Sequence, residues 1–309
     1  MSGAHTVEWV TVSALASGNP LRLPIHTFSG ARPGPTVGLS AGIHGDEVPG
    51  IEVVRRVVDG LDTGALRGTL RVMPVANPLA LEGLTRHTPQ DMQNLNRVFP
   101  GDPGGWLTEQ LADAIAGHFL PGLDALIDLH SGGIFPTVDY VYILNDEDLS
   151  RALGFTVMYR AGRSFEGTMG TVAVDRGVRT AVVELGGGLI ADAEYVRRGV
   201  AGVRSALAHL GVLPGEVQRA DNPIVVEHLA TVRARAGGLL VPEVGIADLE
   251  RVVARGHLLG RTFSPYTFEE VERFEAPFDR TVLILLRGAV TRVQPGDYAY
   301  MLGMLDEAS

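Results

Sequence analysis

The sequence predicts an α/β protein with a mostly parallel, mixed sheet, helices flanking that sheet and a smaller C-terminal β domain. Short apolar segments of strand length alternate with longer amphipathic segments as far as about residue 210. This alternation is typical of a sheet covered by helices. Three of the runs, at 36–41, 125–129 and 180–183, are mostly apolar, as expected of strands that are buried on both faces.

The character of the sequence changes near residue 215, where the segments become shorter and turns separate them. A chain of 309 residues is also long enough for more than one hydrophobic core. We therefore predict a catalytic domain over residues 1–215 and a β-rich domain over residues 216–309.

Four strands are predicted in the first part of the chain, over 7–12, 21–28, 36–41 and 69–73. A helix is predicted between the third and the fourth strand. Pro49 suits the first turn of this helix, and Ile51, Val54 and Val58 lie on one helical face. Gly60 marks its end.

The middle of the chain is predicted to contain one long loop followed by helices and strands. Residues 84–105 contain three prolines and predict a loop, and a loop of this length in a compact domain is usually functional or disordered. Apolar periodicity predicts helices over 106–120, 147–153 and 192–210. It also predicts strands over 125–129, 138–144, 156–159 and 180–183.

The C-terminal part is predicted to contain short strands over 225–229, 231–236, 239–241, 281–287 and 298–302. Its turns resemble those of the barrel-sandwich domains that carry biotin or lipoate on a lysine. The chain contains no Lys, so it cannot carry such a cofactor, and we predict a structural or pocket-covering role. The charged run at 269–273 is interpreted as the solvated face of a helix.

Composition excludes several classes of function. All 26 basic residues are Arg and the net charge is −10, which argues against a nucleic-acid partner. No apolar run approaches the length of a membrane span, so no membrane partner is expected. Cysteine is absent, and the N-terminal residues show no secretion signal, so a cytoplasmic protein is expected. The oligomeric state stays open, and a homo-oligomer is one option.

Four polar residues follow or end three of the apolar strands. His44 and Glu47 come after 36–41, His130 after 125–129, and Glu184 after 180–183. In open α/β sheets, ligands bind beyond the carboxyl ends of the strands, so these side chains are expected to converge. Two His and one carboxylate form the open three-ligand set of catalytic zinc sites.

A hydrolytic metal site also needs a carboxylate that moves protons without binding the metal. Glu184 is the best candidate, because three glycines at 186–188 follow it and allow close approach of a substrate. Asp128 lies two residues before His130, and a bond to that imidazole is one option for it. The alternatives without a catalytic role are that His44 and Glu47 form a solvated helix-capping turn and that Glu184 caps a helix.

Four motifs resemble, in order and form, those of the succinylglutamate desuccinylase/aspartoacylase family. They lie at 42–47 (GIHGDE), 94–101 (NLNRVFPG), 128–133 (DLHSGG) and 183–187 (VELGG). The resemblance covers about residues 20–305. It implies a zinc carboxypeptidase-like fold and hydrolysis of the amide bond of a small N-acyl amino acid, such as an N-acetyl or N-succinyl amino acid.

The resemblance further implies one zinc ion per chain, bound by His44, Glu47 and His130, and a general base at Glu184. Two residues of the long loop match the family's binders of a substrate carboxylate. These are Asn96 and Arg97.

Arg86 matches the arginine that polarises the scissile carbonyl. The alternative is that Arg86 and Arg97 pair with acidic residues of their own loop, Asp91 or Asp102. A further loop, which contains Arg160, Arg163 and Glu166, is a candidate for the pocket.

The sequence thus predicts a zinc-dependent amidohydrolase that deacylates a small-molecule N-acyl amino acid. The nearest alternative is a metallocarboxypeptidase that acts on a short peptide. Another is a non-catalytic binding protein that retains the fold, and a third is a hydrolase of esters or lactams.

Overall fold

The structure, a computed structural model, describes residues 4–161 and 165–305. The helices are α1 (Val48–Asp59), α2 (Pro78–Gly83), α3 (Leu107–His118), α4 (Glu147–Arg151), α5 (Met169–Asp175) and α6 (Ala193–His209). The strands of the first part are β1 (Ala4–Ala14), β2 (Pro20–Ser29), β3 (Arg32–Ala41), β4 (Arg67–Met73), β5 (Ala125–His130), β6 (Pro136–Ile143), β7 (Val157–Arg160) and β8 (Arg179–Gly186). The strands of the second part are β9 (Ile224–Val226), β10 (His228–Arg233), β11 (Gly238–Pro242), β12 (Val252–Val253), β13 (Leu258–Phe263), β14 (Glu270–Glu275), β15 (Thr281–Arg287), β16 (Thr291–Val293) and β17 (Tyr298–Met304). Two short 3-10 helices lie at Leu95–Arg97 and Ile246–Asp248.

One large mixed sheet organises the fold, and this confirms the predicted α/β class. Its main path runs β1-β2-β4-β3-β5-β8-β6-β15-β17-β10. The central strands β4, β3, β5 and β8 are parallel, and antiparallel strands flank them on both sides. The carboxyl ends of β3, β5 and β8 therefore lie side by side at one edge of the sheet.

Helices cover both faces of the parallel strands, which explains why these strands are so apolar. Every residue of β5 is buried. One face packs against α1 and α6 through residues such as Val53 and Val203. The other face packs against α3 and α5 through residues such as Leu111 and Met169. Strands that are enclosed in this way read as continuous apolar runs rather than as alternating ones.

The C-terminal part both extends the large sheet and forms a sheet of its own. Strand β15 pairs with β6, and β17 and β10 continue the large sheet beyond it. The second sheet has the order β14-β13-β11-β16 and shares a core with β15 and β17 of the large sheet, to which Leu240, Phe274 and Tyr300 contribute. The large sheet thus crosses residue 215, and the division into two domains there stays a prediction.

Several elements differ from the prediction. Residues 270–273 of the charged run lie in strand β14 and not in a helix. Glu270 pairs with Arg273 and Arg261, so the strand's charges are matched within its own sheet. The segment predicted as one strand at 225–229 is divided between β9 and β10 at Glu227. Helices α2 and α5 and strands β12, β13 and β16 were not predicted.

No helix in the described ranges is long and apolar enough to cross a membrane.

A buried carboxylate links the central sheet to the C-terminal part. Asp139 of β6 is 4% exposed and forms an ion pair with Arg198 of α6. Glu250 approaches the same guanidinium, at 3.9 Å between Arg198 Nη2 and Glu250 Oε1. Burial raises the pKa of Asp139 to about 7, which Arg198 opposes and Glu250 reinforces. Tyr195 also lies within electrostatic range of Asp139.

We expect this carboxyl to make the protein less stable as pH rises from about 4 to 7. Its folded pKa lies above its unfolded value, so the native state binds more protons in this window and unfolding becomes easier as they are lost. Between pH 5 and pH 8 this carboxyl should lower the free energy of unfolding by about 3 kcal/mol, from ~1.4 kcal/mol per pH unit for one proton, and Glu184 should add a dependence of the same sign. Asp139→Asn should remove the contribution of Asp139 and so reduce the slope, and Asp221→Asn, at an exposed carboxylate, should leave the slope unchanged. An unchanged slope in Asp139→Asn would contradict the assignment.

Candidate functional site

The turn between β3 and α1 places two polar side chains at the carboxyl edge of the sheet. His44 and Glu47 are both buried, each with 2% of its surface exposed. Gly45 allows the turn to fit, because a Cβ there would lie 1.8 Å from the Ala80 carbonyl oxygen. Glu47 occupies the N-cap position of α1, but its side chain makes no capping hydrogen bond. The capping alternative therefore does not describe this side chain.

His130, at the end of β5, completes a group of three with His44 and Glu47. Glu47 lies between the two imidazoles, 2.7 Å from His44 Nδ1 and 2.9 Å from His130 Nδ1. One ligand atom of each residue lies within 4.8 Å of the others, and all three side chains are buried. Two nitrogens and one carboxylate form the donor set of open zinc sites, so these residues fit a zinc ion.

The outer nitrogen of each imidazole has its own partner. His130 Nε2 lies 3.0 Å from Asp128 Oδ2, and Ser40 Oγ donates to the other oxygen of that carboxylate at 2.7 Å. His44 Nε2 lies 3.2 Å from Asn94 Oδ1. Such outer contacts fix the orientation of imidazole ligands in metal sites. The contact of Asn94 was not predicted, although it lies in one of the four motifs.

The three residues perturb one another's protonation. Burial alone would raise the pKa of Glu47, but His44 and His130 hold it well below its usual range. Burial alone would lower the pKa of His130, but Asp128 and Glu47 raise it well above its usual value. Burial lowers the pKa of His44 despite the nearby Glu47. The lowered pKa of Glu47 thus keeps its carboxylate ionised between the two imidazoles.

Glu184 lies next to this group on the adjacent strand. In the register of the sheet it is paired with His130 of β5 on one side and with Tyr140 of β6 on the other. The three side chains therefore form one row on one face of the sheet. Burial raises the pKa of Glu184 to about 8, and the charge of His130 opposes the shift. A carboxyl with a pKa in this range can exchange protons near neutral pH.

The predicted arginines and asparagine line the same cavity. Arg86 Nη1 lies 3.2 Å from Glu47 Oε1. Asn96 Nδ2 lies 3.5 Å from His130 Nε2, and Asn96 Oδ1 accepts the Met169 amide at 2.9 Å, which ties the loop to α5. Arg97 donates to the carbonyl of Asn96 at 2.6 Å and borders the cavity.

The loop carboxylates have partners other than these arginines. Asp91 accepts the Thr108 amide and hydroxyl, and Asp102 accepts the Gly104 amide. The alternative pairing of the loop arginines with these two aspartates is therefore not formed.

The cavity beside this group has a volume of about 370 Å³, within the range of small-molecule sites. Its inner end is formed by the polar residues described above. The rest of its lining is mostly aromatic and aliphatic, with the hydroxyls of Thr168, Thr171 and Thr231 among these side chains: Tyr140, Tyr142, Tyr159, Phe165, Leu229, Leu285, Tyr298 and Met301. None of these was predicted, because their convergence depends on the pairing of β6 with β8 and with β15.

The loop that was also a candidate for the pocket contributes less to the cavity lining. Arg160 pairs with Glu147 at 2.8 Å and with Glu227 at 3.4 Å and does not line the cavity. Glu166 also lies outside the cavity lining. Arg163 lies outside the described residues.

Comparisons with known proteins identify the family of the chain. A family model described as the succinylglutamate desuccinylase/aspartoacylase catalytic domain matches residues 33–210. A relative from Halomonas elongata, named N-alpha-acetyl-L-2,4-diaminobutyric acid deacetylase, is 30% identical over 281 residues. The match covers 85% of this chain and 80% of the relative.

Two solved structures are similar along nearly the whole chain. A succinylglutamate desuccinylase from Silicibacter sp. TM1040 has a TM-score of 0.84 and 26% identity, covering 99% of this chain and 96% of the other. The product-bound ectoine utilization protein EutE (DoeB) from Ruegeria pomeroyi has a TM-score of 0.85 and 25% identity, with the same coverage of 99% and 96%. The similarity therefore includes the C-terminal β strands.

Proposed function

The chain belongs to the succinylglutamate desuccinylase/aspartoacylase family, and on that premise we propose that it is a zinc-dependent amidohydrolase that cleaves a small N-acyl amino acid. The observation that carries the proposal is the position of Glu184. Its carboxyl lies beside His130 in the row of the sheet but is not one of the three residues that converge on a common point. The site thus contains a set of metal ligands and a separate proton carrier.

The proposed metal ligands are His44, Glu47 and His130. A zinc ion bound there would polarise an amide carbonyl and lower the pKa of a water molecule towards neutrality. Asp128 and Asn94 hold the two imidazoles in the orientation that this requires.

The other residues act on the substrate directly. Glu184 takes a proton from the attacking water and delivers it to the leaving nitrogen. Arg86, beside Glu47, donates to the carbonyl oxygen as negative charge develops on it. Arg97, with Asn96, binds the carboxylate of the amino-acid half, since a guanidinium matches the geometry of a carboxylate. The names of the relatives support this class of substrate, since they describe a deacetylase and a desuccinylase.

A substrate screen tests the proposal. We expect the zinc-loaded protein to hydrolyse at least one member of a panel of N-acetyl, N-formyl and N-succinyl amino acids, detected by release of the free amine. The unacylated amino acids and protein treated with a chelator are the controls. Cleavage of C-terminal residues from short peptides, without turnover of the panel, would support a peptidase instead. A protein that binds panel members but turns over neither panel nor peptides would support the non-catalytic alternative.

A further inference from the structure

The geometry of the site indicates which half of the substrate occupies the outer cavity, a deduction that rests on the proposed function. Glu184 delivers its proton to the leaving nitrogen, so the amino-acid half lies beside Glu184. The next residue in the row is Tyr140, and its hydroxyl donates to that of Tyr142 at 2.9 Å. Arg97, which binds the carboxylate, acts electrostatically on Tyr142. Arg97, Tyr140 and Tyr142 line one cavity, so an amino acid whose carboxylate is bound by Arg97 has the tyrosines and their neighbours as the surface available to its side chain.

The wall beyond Tyr142 is aromatic and aliphatic. Tyr159 and Phe165 contact the Tyr142 ring edge-on, with centroid distances of 5.5 and 6.2 Å. Leu229, Leu285 and Met301 complete this wall from the C-terminal strands. Such surfaces bind apolar groups by removing them from water.

Among the described residues, the cavity lining offers a substrate side chain no charged group that is not already engaged. The carboxylates that line the cavity are Asp128 and Glu184, and the arginines are Arg86 and Arg97. Asp128 is bound to His130 and Arg86 to Glu47, while the proposed function assigns Glu184 to proton transfer and Arg97 to the substrate carboxylate. An ammonium group would lose its water without gaining a carboxylate, and aromatic faces offset only part of that cost. The relative from Halomonas elongata is named for a substrate that carries a second amino group, so a difference in specificity is expected.

We propose that the preferred substrate is an N-acyl amino acid with an uncharged, apolar or aromatic side chain, which is bound by Tyr142, Tyr159, Phe165, Leu229, Leu285 and Met301. The C-terminal strands thereby supply part of the specificity. This role goes beyond covering the pocket, because β10, β15 and β17 each place a side chain in the wall.

Two measurements on the zinc-loaded, full-length protein test this specificity. The first compares kcat/KM for the N-acetyl derivatives of Phe, Leu and Met with those of 2,4-diaminobutyrate, Lys, Asp and Glu. We expect at least a tenfold preference for the apolar group. The second uses calorimetry to compare binding of the free amino-acid products, which requires no turnover. Tighter binding or faster turnover of the charged compounds would overturn the proposal.

A charge introduced at the rim of the wall provides a second test. Phe165 is 50% exposed, so Phe165→Glu is expected to fold and to shift the ratio of kcat/KM towards diaminobutyrate by tenfold or more. Tyr266→Glu, at a residue that is 89% exposed and does not line the cavity, is the matched control and should leave the ratio unchanged. An unchanged ratio in Phe165→Glu would contradict the placement of the side chain. If no N-acyl amino acid is hydrolysed, the proposed function fails, whereas hydrolysis with a preference for charged side chains refutes this inference alone.

Discussion

Replacing Glu184 by Gln is expected to lower kcat on an N-acyl amino acid substrate by about 10²- to 10⁴-fold, the usual contribution of a positioned general acid–base. An amide has nearly the shape of a carboxylate, so the variant keeps the packing of the row between His130 and Tyr140. It cannot accept the proton of the attacking water or return one to the leaving nitrogen. Because Glu184 is not among the three converging ligands, zinc content should stay at about one ion per chain.

Measuring both turnover and zinc content distinguishes a proton carrier from a metal ligand. Steady-state kinetics on the best substrate of the screen gives kcat, and elemental analysis of the same preparation gives the zinc content. Glu227→Gln is the matched control, since its side chain is 59% exposed and lies outside the cavity lining. A Glu184→Gln variant with kcat within threefold of the parent protein would refute the role of proton carrier. Loss of zinc from this variant would show that Glu184 is a ligand instead.

The inner end of the site could be located from the sequence because its residues follow the strongest pattern in the chain. Runs such as 36–41 and 125–129 must be buried strands, and polar residues directly after parallel strands meet at one edge. His44, Glu47, His130 and Glu184 are brought together for this reason. The ends of these strands could be predicted from the local sequence alone, without knowing how the rest of the chain folds.

The outer wall could not be found in the same way, because it depends on pairings between distant segments. Tyr140 faces the site only because β6 runs antiparallel to β8 with Tyr140 opposite Glu184. Leu285 reaches the cavity because β15 pairs with β6, where Leu285 lies opposite Val138. A shift of one residue in either pairing would turn these side chains to the other face. The sequence pattern of each strand alone is compatible with either register.

For strand β14 the local sequence pattern predicted the wrong type of secondary structure. The run at 269–273 has the composition of a solvated helix, with three Glu and one Arg. In the structure it is a strand, in which Phe274 packs into the C-terminal core and Glu272 accepts the Arg235 amide at 2.9 Å. Tertiary pairing therefore decided its conformation, as is common for short strands.

Replacing His130 by Ala is expected to abolish stoichiometric zinc binding. The change removes one of the three proposed ligands and the imidazole that lies between Glu47 and Asp128. Equilibrium dialysis against buffered zinc, followed by elemental analysis, should give about one zinc ion per chain for the parent protein and far less for the variant. Added zinc should raise the melting temperature of the parent protein, because a ligand stabilises the state that binds it, and not that of the variant.

Two further variants separate metal ligation from damage to the fold. His130→Ala leaves two buried carboxylates without their partner and is expected to be less stable, so zinc is measured only on folded, monodisperse protein. Asp128→Asn keeps the ligand and weakens only its support, so zinc affinity should fall by about 10- to 100-fold. His118→Ala, at an imidazole that is 52% exposed on α3, should bind zinc like the parent protein. Full zinc occupancy in His130→Ala at the affinity of the parent protein would mean that the ion is held elsewhere. Zinc affinity is therefore expected to be unchanged in His118→Ala, reduced in Asp128→Asn and lost in His130→Ala. His118 lies away from the proposed ligands, Asp128 contacts one of them, and His130 is one of them.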